Sequence, residues 1–533
     1  MRIAIMCNRR PGIAAAFLAS FYLVACGGGN APITPPPPTG NFSNASLLGQ
    51  YAFAMSGVDG VTGAFVARVG SFTADGSGHV TGGLEDVVNL SNVAPVSQIS
   101  ITDGTYQILA NGRGSITLNA SGGGSLQLSV SLQSNAEGFL AQIDGVAATG
   151  GSLNLQTPAD FATGFLNGKY VFDLSGRSFA GATPSAISLI GEFAMDGGGN
   201  VTGGVMDVND SAFAPSGAML IPASTYQLDT NGNGTNFGRG TIMVHGRTYA
   251  FYVVDSTRIR MLEEDALGGT QGDAVLQTGA IPAQNSAFQG SFVFLTRGFA
   301  TSGNFGPLAR AGRFTADGAG GISKITFDQN RDGDNSHVSQ SSSVSGAAYS
   351  MDTGNAGSGR GTLTFHNSSV GTLNFVFYLS SPGKGVIQDV SMNAVGDGLI
   401  LAQAAGPFTT ASLAGNSILN WNGIQLSSPS PFQEEFIGQA AQSTASSSNF
   451  TGGVDYVELG LTTNNGVTLG AGISGTLTIM ADGTQNNAYK IAVGTSSPFT
   501  VNFTAYFADN QTILLLTSDS TRTSVGLALR QTQ

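Results

Sequence analysis

Apolar residues alternate with polar or small ones at period two through most of the chain. Tyr51, Phe53 and Met55 fall on one face of one such run, and Tyr170, Phe172 and Leu174 on one face of a later run. Period two predicts strands, with the large side chains turned toward a core. Over the first repeat of the pattern the runs predict strands near 49–55, 64–74, 79–88, 99–109, 114–119, 125–132, 137–143 and 151–157. Eight sequential strands joined mostly by tight turns predict a closed up-and-down barrel, which leaves no exposed edge. A two-sheet sandwich is the alternative.

The pattern recurs four times. Leu48-Gly49-Gln50-Tyr51-Ala52-Phe53 is echoed by Asn167-Gly168-Lys169-Tyr170-Val171-Phe172, by Gln289-Gly290-Ser291-Phe292-Val293-Phe294 and by Ala414-Gly415-Asn416-Ser417-Ile418-Leu419, with glycines 119, 122 and 125 residues apart. That period is a whole domain, longer than the roughly 20 to 50 residues of a solenoid coil or propeller blade. Asp75-Gly76, Asp196-Gly197 and Asp317-Gly318 predict hairpins, because glycine accepts positive φ and aspartate bonds its neighbouring backbone. A further aspartate follows 11 positions later at Asp86, Asp207 and Asp328, and Gly-Arg-Gly recurs around Arg113, Arg239 and Arg360. The fourth copy keeps Thr451-Gly452-Gly453-Val454-Asp455, loses the Asp-Gly phrase and gains the only tryptophan, Trp421, predicted to fill a core. The expected fold is therefore all-β, with four tandem antiparallel domains over 43–160, 161–283, 284–408 and a divergent 409–533.

Each domain opens on Gly-x-Tyr-x-Phe or a variant of it, which in placement resembles the Gly-x-Trp start of lipocalin and avidin barrels. The resemblance implies a barrel; Tyr or Phe replaces the Trp, and no ligand residue carries over.

The N-terminus has its own pattern. A run of about 14 apolar or small residues from Gly12 to Ala25 follows Arg2, Arg9 and Arg10 and ends in Leu23-Val24-Ala25-Cys26. It is shorter than the roughly 20 residues of a membrane span and fits an export signal over 1–25. The segment resembles the lipobox of bacterial lipoproteins, and the resemblance implies acylation at Cys26, anchorage by several acyl chains, and, with Gly27 rather than Asp next, sorting to the outer membrane. Residues 26–42, rich in proline, read as the lipidated cysteine and a tether that reaches roughly 50 Å when extended. The whole plan of lipobox, tether and Gly-rich β repeats resembles uncharacterised envelope lipoproteins.

Composition narrows the function. Loss of the three signal arginines takes the net charge from −12 to −15, and the remaining Lys and Arg are scattered, which argues against a nucleic-acid partner. The second cysteine, Cys7, leaves with the signal, so the mature chain has neither a disulfide nor a thiol nucleophile. His79, His245, His337 and His366 are not spaced as metal ligands or as a catalytic triad. No Gly-x-Ser-x-Gly elbow occurs. Gly470-Ala471-Gly472-Ile473-Ser474-Gly475 matches a dinucleotide fingerprint but runs into a strand-like segment instead of the helix that fingerprint needs. Glu263-Glu264-Asp265 and Glu434-Glu435 are adjacent on strands and point to opposite faces, so neither doublet makes the facing carboxylates of a glycosidase.

One metal motif stands out. Asp328, Asn330, Asp332, Gly333, Asp334 and Ser336 place oxygen ligands at alternate positions around a turn glycine, as a calcium loop does, although Ser339 holds the place of the bidentate glutamate. Ca²⁺ at Asp328, Asn330, Asp332 and Asp334 is thus the one cofactor suggested, against an acidic solvated loop. The expected role is non-catalytic: a lipid-anchored envelope protein for binding, adhesion or structure, with a membrane and a protein or glycan as partners. A lipocalin-like carrier of an apolar ligand is an alternative, and a glycan-acting enzyme a third.

Overall fold

The computed structural model describes residues 40–532, apart from 93–95, 182, 231–236, 302–305, 339–343, 369, 414, 427–430, 443–447, 460–463, 477–478, 480–483 and 493–498. The signal, Cys26 and most of the tether lie outside the described residues, as does Ser339.

Every described strand pairs antiparallel with its neighbours; the first and fourth repeats form closed barrels, and the second and third form nine-stranded sheets that curl into barrels on the same plan. In the first, strands Leu48–Asp59, Phe65–Asp75, His79–Asn89, Val96–Ile108, Arg113–Ala120, Ser125–Leu132, Glu137–Gln142 and Ala147–Leu155 follow one another around the wall, and the last pairs with the first to close it. Sequence periodicity places all eight, and closure decides for a barrel over a sandwich. The fourth repeat closes in the same way, with Asn416–Gln425 paired to Arg522–Arg530. The second and third are nine-stranded because the fourth strand of each is broken. In the second, Asn200–Asp210 pairs with both halves, Ser216–Ile221 and Ser224–Leu228. In the third the halves are Asp334–Val338 and Val344–Met351, and a single bridge, Gly321 to Ala348, spans the seam.

The barrel interiors are filled. Tyr51, Phe53, Phe72 and Leu128 occupy the first, Tyr170, Phe193, Tyr249 and Phe251 the second, and Phe294, Phe314, Phe365 and Phe377 the third, all at most 1% exposed. Trp421 fills the fourth, stacked on Phe436 at 4.5 Å with Phe503 edge-on at 5.2 Å. Burial of each such side chain stabilises by about 1.5–3 kcal/mol. A short 3₁₀ turn precedes each first strand, and Leu47, Leu166 and Phe288 at the ends of the first three turns are buried. Their carbonyls each accept a 2.8 Å hydrogen bond from Tyr106, Tyr226 and Tyr349 respectively, so the same phenol pins the same plug in three barrels.

The Asp-Gly hairpins form as expected. Asp75 Oδ1 accepts the amides of Ser77 and His79, Asp196 those of Gly198 and Asn200, and Asp317 those of Ala319 and Gly321. The glycines that follow take φ of 71 to 79°.

Candidate functional site

The outward faces of the opening strands are also apolar: Ala52 and Ala54, Val171, Val293 and Leu295, and Ile418. A strand covered on both sides needs a second core, and each barrel finds it against the next. Ala52 and Ala54 pack with Tyr252 and Val254 of the second barrel, Val171 with Val376 and Tyr378 of the third, and Val293 and Leu295 with Tyr506 and Leu514 of the fourth. Ile418 and Ile437 of the fourth pack with Phe139 and Ala141 of the first. The four barrels therefore close into a ring, joined head to tail.

Each seam is built around an aspartate acceptor, met by Arg and Tyr at two seams, by Arg and Ser at a third and by a Tyr hydroxyl at the fourth. Asp86 of the first barrel accepts from Arg239 of the second at 2.7 and 3.0 Å and from the Tyr252 hydroxyl at 2.7 Å. Asp207 of the second accepts from Arg360 at 2.8 Å twice and from Tyr378 at 2.6 Å. Asp455 of the fourth accepts from Arg113 of the first at 2.5 Å and from Ser129 at 2.6 Å. Between third and fourth, Asp328 accepts from the Tyr506 hydroxyl. The glutamine that ends each repeat completes the seam: Gln156 donates to Val253 O, Gln277 to Leu379 O, Gln403 to Phe507 O and Gln531 to Leu132 O. The repeated Asp and Arg were visible in the sequence; that the Asp of one repeat meets the Arg of the next was not.

The residues of the calcium pattern belong largely to these seams. Asp328 and Asn330 lie on the strand Ile322–Arg331, and Asp332 and Gly333, at φ 51 and 81°, form a two-residue hairpin turn to Asp334. Asn330 is fully buried, donating to Thr517 O and Arg522 O and accepting from Gly333 N and the Thr523 hydroxyl. Asn209, two residues after Asp207, likewise donates across its seam to Asp389 O and Ala394 O. Among the described residues no three His, Cys, Asp or Glu side chains gather as metal ligands. Of the acidic doublets, Glu263 bonds Arg247 and Thr270, Glu264 joins the Arg239 cluster, and Glu434 bonds Arg522 and Ser524. All three are committed within or between barrels.

With the interiors full, the candidate site is the space between barrels. A cavity of about 370 Å³ lies at the ring centre and draws its wall from all four barrels, in particular from Ser56–Val58, Ser175–Arg177, Arg297–Phe299 and Asn422–Ile424 of the opening strands. The middle residue of each triplet is a glycine at the same repeat position. A Cβ on Gly57, Gly176, Gly298 or Gly423 would overlap the carbonyl oxygen of Ala148, Gly269, Val395 or Thr523 in the closing strand beside it. Glycine is the residue that allows this approach.

Charged groups face this space unevenly. Arg177 stacks over the Phe299 ring at 4.9 Å, and burial lowers its guanidinium below the ordinary value. Arg297 donates to Asn422. Asp397 lines the cavity with Asp173 beside it. Burial, followed by repulsion from Asp397, raises Asp173 well above the usual carboxylate range, and burial raises Asp397 as well. Burial pushes Glu435 up to about 8 against the pull of Arg297. The folded protein therefore binds the Glu435 proton more tightly than the unfolded chain does. The stability that Glu435 contributes is fully present below the unfolded pKa of about 4.3 and is lost as pH rises through the folded value. Replacing Glu435 with glutamine is expected to flatten this decline, by a few kcal/mol between roughly pH 5 and 9. Denaturant unfolding across that range checks it, and identical pH profiles would show that Glu435 ionises freely.

Neither a family model nor a curated protein matches this chain. Among solved structures it is similar to a point variant of transferrin binding protein B from Haemophilus parasuis, at 11% identity and TM-score 0.20 over 75% of this chain and 83% of that one. It is also similar to transferrin binding protein B of serogroup B Neisseria meningitidis, at 10% identity and TM-score 0.20 over 72% and 79%. A protein of unknown function from Nostoc punctiforme shares 10% identity and TM-score 0.15 over 47% of this chain and 99% of its own. At such scores, function has to be read from this chain's own residues.

Proposed function

We propose that this chain is a lipid-anchored, non-catalytic binding protein of the cell envelope, exported by its N-terminal signal, acylated at Cys26 and sorted to the outer membrane. In this reading the Pro-rich segment 26–42 serves as the tether between the lipid and the four barrels. The observation that carries the reading is the ring itself. The residues kept between repeats, namely the turn Asp-Gly, the core aromatics, the axial glycine and the seam Asp, Arg and Gln, all serve to build it. What differs between repeats includes the axial positions Val58, Arg177, Phe299 and Ile424, and a protein or glycan is the proposed partner.

Labelling cells with radioactive palmitate and fractionating the envelope tests the anchor. The wild-type chain is expected to take up label and sediment with outer membranes, and Cys26→Ala to lose label and appear in the soluble fraction. An unlabelled wild type, or label retained in Cys26→Ala, would overturn the reading.

A further inference from the structure

The axis keeps one residue for construction and varies its neighbours. Glycine recurs at 57, 176, 298 and 423, whereas the following position holds Val58, Arg177, Phe299 and Ile424. Ring closure needs the glycine and gives no reason for a guanidinium at 177. Among the described residues Arg177 has no carboxylate at ion-pair distance; its contact is the face of Phe299. A guanidinium whose charge rests on a ring has N–H groups left for an acceptor, and their fork matches a carboxylate.

A carboxyl stands at a defined distance on the same wall. Phe299 pairs with Val395, and Arg297 pairs with Asp397, two residues along the same ladder. Two residues of strand separate the Phe299–Val395 pair, over which Arg177 lies, from Asp397, roughly 7 Å at about 3.3 Å per residue. The Oδ1 atom of Asp173, beside Asp397, is buried without a hydrogen-bond partner. The two carboxyls share one nearby cation, Arg297, with Ser175 and Ser188 also bonding Asp397, so a second cation adds the charge that one guanidinium leaves unbalanced. Phe432 and Ile424 add apolar wall to the same cavity.

We propose that the axial cavity binds a small zwitterion, its carboxylate held by Arg177 and its ammonium group by Asp397. Spacing favours a chain of several methylenes between the two charges. This inference names a site for the binding role proposed above and does not depend on acylation of Cys26.

Calorimetric titration of the full mature chain in detergent tests it, with glycine, 4-aminobutyrate and 6-aminohexanoate as probes and butyrate and butylamine as singly charged controls. One of the two longer amino acids is expected to bind at least tenfold more tightly than either control. Arg177→Met, which keeps the packing on Phe299, and Asp397→Asn are each expected to weaken that binding at least tenfold while the melting temperature stays near that of the wild type. No heat from any zwitterion, equal binding of the controls, or full affinity in both variants would overturn the proposal. Loss of acylation with binding intact would sink only the anchor.

Discussion

Arg239→Ala is expected to destabilise the protein by about 3–5 kcal/mol, the cost of stranding a buried carboxylate. The guanidinium of Arg239 serves three carboxylates at once, Asp86 at 2.7 and 3.0 Å, Asp229 at 3.1 Å and Glu264 at 3.1 Å, and Tyr252 donates to the same Asp86. Asp86 is 0% exposed. Truncation removes its counter-charge and leaves the carboxylate in a low-dielectric seam with one phenol. Removal of both partners should cost far less, because a well-packed apolar pair replaces a buried ion pair at little or no net loss. Arg239→Met with Asp86→Leu is therefore expected to recover most of the stability lost by Arg239→Ala. Urea unfolding of the single and double variants measures the difference. A single variant within 1 kcal/mol of wild type would mean that water reaches the seam and that the ring is held by apolar contacts alone.

Opening the ring should have an effect of similar size and a different signature. Three seams join barrels that are already adjacent in sequence, through short connections such as that between Leu155 and Asn167. The seam between fourth and first barrels has no such covalent support. Asp455 there bonds Arg113, Ser129 and the Gly470 amide, and Gln531 donates to Asn111 O and Leu132 O. Asp455→Ala leaves Arg113, 8% exposed, as an unpaired buried cation, at a cost again of about 3–5 kcal/mol. Combined with Gln531→Ala, it should let the first and fourth barrels part. Small-angle scattering would then show a larger radius of gyration with unchanged circular dichroism, since each barrel retains its own core. The equivalent pair of changes at Asp207 and Gln277 should disturb the shape less, because the chain still ties those barrels together. Unchanged scattering in the Asp455 and Gln531 double variant would show that the apolar patch of Phe139, Ala141, Ile418 and Ile437 suffices to close the ring.

Individual residues show how much was legible. The strands of the first barrel were readable because Tyr51, Phe53 and Met55 alternate with smaller residues, and the Asp-Gly turns because their chemistry is local. Ala52 and Ala54 carried a second signal: an outward face that is apolar as well as small implies cover on both sides. The Asp-x-Asn spacing at Asp328 and Asn330 fits metal ligands and seam ligands equally well in one dimension. Asn209, which repeats the asparagine beside Asp207, was the available clue that the spacing belongs to the repeat. Asp173 and Asp397 are 224 positions apart in the sequence, and nothing in either neighbourhood points to the other.

Sequence alone determined the all-β class, the four-domain period, the hairpin turns and the side chains that fill each barrel, because these follow from contacts between residues near in the chain or from strict alternation along it. Tertiary structure alone decided that the barrels close on one another as a ring, that Asp455 at one end meets Arg113 at the other, and that a charged cavity forms on the axis. Those depend on the twist and tilt that set where each outer face points, and on desolvation that exists only once four barrels have packed together.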